Sequence, residues 1–151
     1  MMSRITVHTV PEWMSALSGL TILRIRLLTL GEEGLNVLGS IPSLSDLVIY
    51  IESGEELVIN NAYPFLSLRN FEIGFIERVV FAQGAMPKLE TLWLGFSILS
   101  GDLAVGFENL SSLVDVHVSS YCLEDRSKAA KTTIQNAVDI NQNKPSLTMR
   151  P

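Results

Sequence analysis

Residues 38–50 read LGSIPSLSDLVIY, and within them Ile41, Leu44, Leu47 and Ile49 are spaced by three, three and two. A spacing of two is the period of a β-strand, on which alternate side chains share a face. Leu47 and Ile49 therefore point one way, and Asp46, Val48 and Tyr50 point the other. The spacings of three belong to the turn that enters the strand, where Pro42 fixes φ and removes a backbone donor. The same arrangement recurs on both sides of this stretch: at Leu17, Leu20, Leu23 and Ile25, at Phe65, Leu68, Phe71 and Ile73, at Met86, Leu89, Leu92 and Leu94, and at Leu110, Leu113, Val116 and Val118. The starting positions 17, 41, 65, 86 and 110 step by 24, 24, 21 and 24 residues.

That period lies in the range of leucine-rich repeats, in which each unit supplies one short strand and a return segment to a stack. No single unit can bury its own leucines, so stacking completes each layer. Ile5 and Val7, and Leu147 and Met149, fit the strand pair of two further incomplete units. The expected sheet has about seven parallel strands at ~4.8 Å, or ~30 Å of curved sheet. The expected fold is an α/β solenoid: a leucine-rich-repeat horseshoe with a parallel β-sheet on the concave face, an irregular convex side and a C-terminal capping helix.

The return segments differ from one another. LLTLGEEGLNVLGS allows a short helical turn through Leu35 and Leu38, whereas VVFAQG reads as extended, with Gly84 closing a turn. After Val118 the spacing changes. In LEDRSKAAKTTIQNAVDI, the residues Ala130, Ile134, Ala137 and Val138 form one stripe at helical spacing, with Asp125 or Ser127 as N-cap. The chain thus divides into repeats over 1–123, with about six strands, and a capping helix with a final strand over 124–151. No comparable cap precedes Ile5, so the first layer of the stack is expected to be raw and prone to aggregation.

The 151 residues are 47% hydrophobic and 18% charged, which excludes disordered and coiled-coil classes and suits one domain. The net charge of −5 is uneven. Residues 1–126 hold seven Lys or Arg against fifteen Asp or Glu, and residues 127–151 hold four against one. An acidic body argues against nucleic acid as a partner, because that affinity rests on clustered Lys and Arg. No stretch approaches a membrane span, and MMSRITVHTVPEW lacks the basic-then-apolar layout of a secretory signal, so a cytoplasmic location is expected. Cys122 is the single cysteine, which fits a reducing compartment and reads as a structural thiol.

The stretches VPEWMSALSGLTILRIRL at 10–27, SGEELVI at 53–59, GAMPKLETLWL at 84–94, FENLSSLVDVHV at 107–118 and AAKTTIQNAVDINQNKPSLTMRP at 129–151 give the chain a family character. It resembles the C-terminal leucine-rich repeats of plant intracellular immune receptors, the nucleotide-binding leucine-rich-repeat disease-resistance proteins, particularly those of grasses. The last stretch is the most specific. The resemblance implies a cytosolic sensor in plant defence that recognises a pathogen effector or a guarded host protein and restrains a neighbouring nucleotide-binding switch domain. The chain holds no GxxxxGK[ST] phosphate loop, so nucleotide binding does not carry over, and it is read as a fragment or a truncated family member.

A partner would dock on the residues that alternate with the buried pairs. These are Arg24 and Arg26, Asp46, Val48 and Tyr50, Asn70 and Glu72, Thr91 and Trp93, and Asp115 and His117, all expected on the concave face. Trp93 lies between Glu72 and His117 in register, and an exposed Trp and Tyr with an Arg pair is the composition of an interaction hot spot. The plainer reading is that Trp93 fills a shallow groove in the sheet face.

Other chemistry finds little support. His8 and His117 fall about five strands apart, too far to share a metal. The acidic pairs Glu32–Glu33 and Glu55–Glu56 lack the alternation of a calcium loop. Asp115 and His117 can share a hydrogen bond, but no GxSxG turn supplies a nucleophile, so no enzymatic activity and no cofactor are expected. Two rival readings remain. An extracellular receptor ectodomain would repeat LxGxIP and place Asn after each strand, where this chain has Leu28, Glu52, Ile76, Ser97 and Tyr121. Its one glycosylation sequon, Asn109-Leu110-Ser111, is centred on a repeat leucine. The substrate-binding repeats of a ubiquitin-ligase adaptor would need an F-box-like segment that residues 1–16 are too short to hold.

Overall fold

The computed structural model describes residues 2–52, 56–62, 65–96, 105–120 and 127–150. Seven strands, β1 (Met2–Val7), β2 (Ile22–Leu27), β3 (Asp46–Ile51), β5 (Asn70–Ile76), β7 (Thr91–Phe96), β8 (Asp115–Ser120) and β9 (Ser146–Arg150), form one sheet in chain order. Every neighbouring pair is parallel. Each strand must therefore be followed by a return segment that carries the chain back to its starting edge. Those returns hold helix α1 (Gly31–Gly39), helix α2 (Ser127–Asp139) and the short strands β4 (Glu56–Ile59) and β6 (Arg78–Phe81).

Register explains the core. Leu23, Leu47, Phe71, Leu92, Val116 and Leu147 are matched across successive strands, as are Ile25, Ile49, Ile73, Leu94, Val118 and Met149. All are buried except Leu147 and Met149, which are partly covered. Burying each of these side chains contributes about 1.5–3 kcal/mol, so two unbroken rows across the sheet are a large share of what holds it together.

The turn before each strand repeats with equal fidelity. In each copy the amide of the second apolar residue donates to the carbonyl of the first: Leu20 to Leu17, Leu44 to Ile41, Leu68 to Phe65, Leu89 to Met86 and Leu113 to Leu110. A sixth copy has Lys144 N donating to Asn141 O at 3.1 Å. Residues 141–149 are thus a further complete turn and strand in which Asn and Lys stand at the first two apolar places. Asn141 is only 2% exposed, and its Nδ2 donates to Phe107 O at 2.6 Å and to Leu110 O at 3.0 Å. A buried amide is tolerated because its donors are satisfied by carbonyls of the previous layer.

A hydroxyl ladder runs along the same turns. Ser43 Oγ donates to Ser18 O, Ser67 Oγ to Pro42 O, and Ser112 Oγ to Pro87 O, at 2.7–2.8 Å. Asn143 Nδ2 takes the equivalent place against Ser111 O at 2.6 Å. In the copy beginning at Met86 this position is Lys88, which carries no hydroxyl.

The return side is more regular than the sequence suggests. The segment expected to make a helical turn forms nine-residue α1, burying Leu35 and Leu38. VVFAQG is extended through β6 and turns at Gly84, whose φ is +85°. Unexpectedly, ELVI also forms a strand, and β4 and β6 pair in parallel as a separate two-stranded sheet that buries Leu57, Ile59, Val79 and Phe81. Gly106, at φ +130°, lets the following return pass Phe81, where any Cβ would sit 2.3 Å from the Phe81 carbonyl oxygen. Helix α2 buries Ile134, Ala137 and Val138, three members of its expected stripe. Asp125 and Cys122 fall outside the described residues.

Candidate functional site: the outer face of the sheet

Because one side of every strand faces the core, the alternate side chains stand together on the other side in register-aligned rows. The first row runs Ile22, Asp46, Asn70, Thr91, Asp115 and Ser146. The second runs Arg24, Val48, Glu72, Trp93, His117 and Thr148. The third runs Arg26, Tyr50, Gly74, Gly95 and Ser119. All eleven residues singled out from the sequence lie on this face.

The first row is tied together by polar contacts. Asn70 Nδ2 donates to Asp46 Oδ1 at 2.5 Å, Ser45 Oγ to Asp46 Oδ2 at 3.0 Å, and Ser146 Oγ to Asp115 Oδ1. The Asp115–His117 hydrogen bond that their spacing permits is not formed. Asp115 faces Ser146 across the neighbouring strand, and His117 Nδ1 is buried with no hydrogen-bond partner.

The reason lies in the second row. The Trp93 ring stacks on His117 with centroids 3.8 Å apart and planes 10° from parallel, closing over the imidazole. Trp93 stays 38% exposed, so it neither disappears into a groove nor stands free. On the other side of Trp93, Glu72 accepts a hydrogen bond from the Tyr50 hydroxyl. The Tyr50 ring reaches this place by lying across Gly74, where a Cβ would meet Tyr50 Cδ1 at 2.7 Å. Any residue but glycine at this position would displace the ring.

Gly74 and Gly95 are adjacent in register, and their missing side chains leave a notch of about 160 Å³ between Tyr50 and the Trp93–His117 stack. A second hollow of about 280 Å³ lies beside it, reaching from Trp93 towards Arg24 across Val48 and Asn70. A third, of about 240 Å³, is bounded by Arg26, Tyr50 and Phe75. Phe75 occupies a bulge where the register of β5 against β7 slips, with φ +63° and its ring exposed. Charge is divided along the face: Arg24 and Arg26 stand on β2, and Asp46, Glu72 and Asp115 follow on β3, β5 and β8.

Residue alternation places Gly74 and Gly95 on this face but does not single out the notch they leave or the Phe75 bulge. Gly-Phe at 74–75 and at 95–96 carries the signal, since an isolated glycine and an extra residue in a strand mark close approach and a bulge. Asn109, the first residue of the sequon, has a structural use: its Nδ2 donates to Phe81 O at 2.8 Å.

A family model described as a leucine-rich repeat region matches residues 1–147 of the chain. The protein belongs to that family, whose members build repeat solenoids that act as protein-interaction modules. No solved structure matches it significantly. Among the described residues, no helix is long and apolar enough to cross a membrane.

Proposed function

We propose that this chain is the sensor and autoinhibitory leucine-rich-repeat segment of a plant intracellular immune receptor. In this reading the sheet curves as a horseshoe, its outer face is the concave surface, and α2 with the last strand caps the stack. The face engages a protein: a pathogen effector, a guarded host protein, or the nucleotide-binding domain of the same receptor, in the cytoplasm and without catalysis. The observation that carries the docking surface is the register-aligned cluster of Tyr50, Glu72, Trp93 and His117, with Arg24 and Arg26 at one end of the same face. Aromatic and arginine side chains held on a rigid sheet are what interface hot spots are made of. The receptor class is supported by the repeat family together with the 129–151 stretch.

The test is made in the receptor. Trp93→Ala and Arg24→Ala are each expected to weaken partner binding at least tenfold or to release signalling without a stimulus. If both variants leave binding and restraint unchanged, this face is not the docking surface. An in-frame phosphate loop upstream in the same gene is expected, and a signal peptide there would overturn the receptor class.

A further inference from the structure

The notch beside Trp93 has a chemistry that names one kind of occupant. Its floor is the backbone of Gly74 and Gly95, and its walls are Tyr50, Glu72, Trp93 and His117. Of these six residues only Glu72 carries a carboxylate. Its Oε2 accepts from Tyr50, while Oε1 has no partner among the described residues, and no described Lys or Arg forms an ion pair with it. The nearest cation in its own row is Arg24, two strands away beyond Val48. A carboxylate can accept several hydrogen bonds, so Glu72 is held in place by one and open to more.

Trp93 supplies the second half of the recognition. One face of its indole is covered by His117 on β8, and its register neighbour on the other strand, β5, is Glu72. The electron-rich face of a tryptophan attracts a cation, most often a guanidinium. A flat indole beside a fixed carboxylate, over a floor without side chains, accepts a planar cation that stacks and donates at once. A guanidinium does both, whereas an ammonium is a compact point charge that cannot stack.

We propose that this notch receives an arginine side chain of the protein partner, with its guanidinium stacked on Trp93 and donating to Glu72 Oε1. The inference rests on the reading of this face as a docking surface and adds the identity of the group at its centre. Tyr50 and Gly74 are positioning residues: Gly74 lets the Tyr50 ring lie flat, and the Tyr50 hydroxyl orients the carboxylate.

The experiment uses the full chain carrying Trp13→Phe, so that Trp93 is the sole indole reporter, followed by its side-chain N–H resonance in NMR. The probe is N-acetyl-arginine amide, with N-acetyl-citrulline amide as its uncharged match and N-acetyl-lysine amide as its unstacked one. The arginine amide is expected to shift the resonance saturably with Kd about 1–10 mM, the range open to a single anchoring group. The citrulline and lysine amides bind at least about tenfold more weakly, and Glu72→Gln weakens the arginine amide by about tenfold, since it removes the charge but keeps the shape. Absence of saturation, equal shifts from arginine and citrulline amides, or unchanged binding in Glu72→Gln each overturns the proposal. The outcome is separable from that of the docking reading. If the arginine amide fails while Trp93→Ala still weakens a protein partner, the anchor is wrong and the docking face stands. If the amide binds but Trp93→Ala and Arg24→Ala spare both the partner and the restraint, the notch is real and the docking reading falls.

Discussion

At residues 86–94 the turn and strand are anchored by Met86, Leu89, Leu92 and Leu94, all buried. At residues 141–149 the same backbone path is anchored by Asn141, Lys144, Leu147 and Met149, of which only Asn141 is buried. The inner layer is held by apolar area with neighbours on both sides. In the last described layer β9 pairs with β8, and hydrogen bonds from Asn141 and Asn143 tie its turn to carbonyls of the layer beneath. The repeat is thus a backbone path with more than one way of being secured.

The difference can be broken by substitution. We predict that Leu92→Ala costs about 3–4 kcal/mol in denaturant unfolding, the usual range for a leucine deleted from a packed core. A cost below about 1 kcal/mol would mean that the middle layers do not carry the fold. Asn141→Leu comes next: if the position were only an apolar place filled by the wrong residue, leucine would stabilise the chain. We expect it to destabilise by about 2–3 kcal/mol, because the carbonyls of Phe107 and Leu110 lose their donor.

Leu147→Ala, in the partly covered last layer, is predicted to cost about 1–2 kcal/mol and to raise amide exchange chiefly in β9 and β8 rather than through the sheet. Exchange rising equally in β2 would show that the end layer is as central as the middle. The smallest expected effect is a gain. Lys88→Ser restores the missing hydroxyl of the ladder and is predicted to add about 0.5 kcal/mol to the unfolding free energy. A loss there would show that the Lys88 stem contributes more by covering its neighbours than a ladder bond does.

Much of this was legible in the residues because burial on a strand leaves a period of two and a stacked turn leaves a period of three. The seven strands, the two core rows and the outward positions of Arg24, Tyr50, Glu72, Trp93 and His117 all follow from that alternation. The last turn was harder to see, since Asn141 and Lys144 break the apolar signature while keeping the backbone. ELVI does not read as a strand because four residues with one partner carry too little pattern, and its pairing to RVVF depends on two returns lying side by side.

What the sequence alone determined is the layering: a fixed interval between apolar residues dictates parallel strands in chain order and one face turned away from the core. Only the tertiary structure decided what that face does with its side chains. The stacking of Trp93 on His117, the unpartnered Nδ1 beneath it, the Tyr50 ring over Gly74 and its bond to Glu72 are contacts between residues about twenty or more positions apart. Their geometry depends on rotamers selected by neighbouring strands, and a one-dimensional pattern records which face a side chain shares but not which neighbour it leans on.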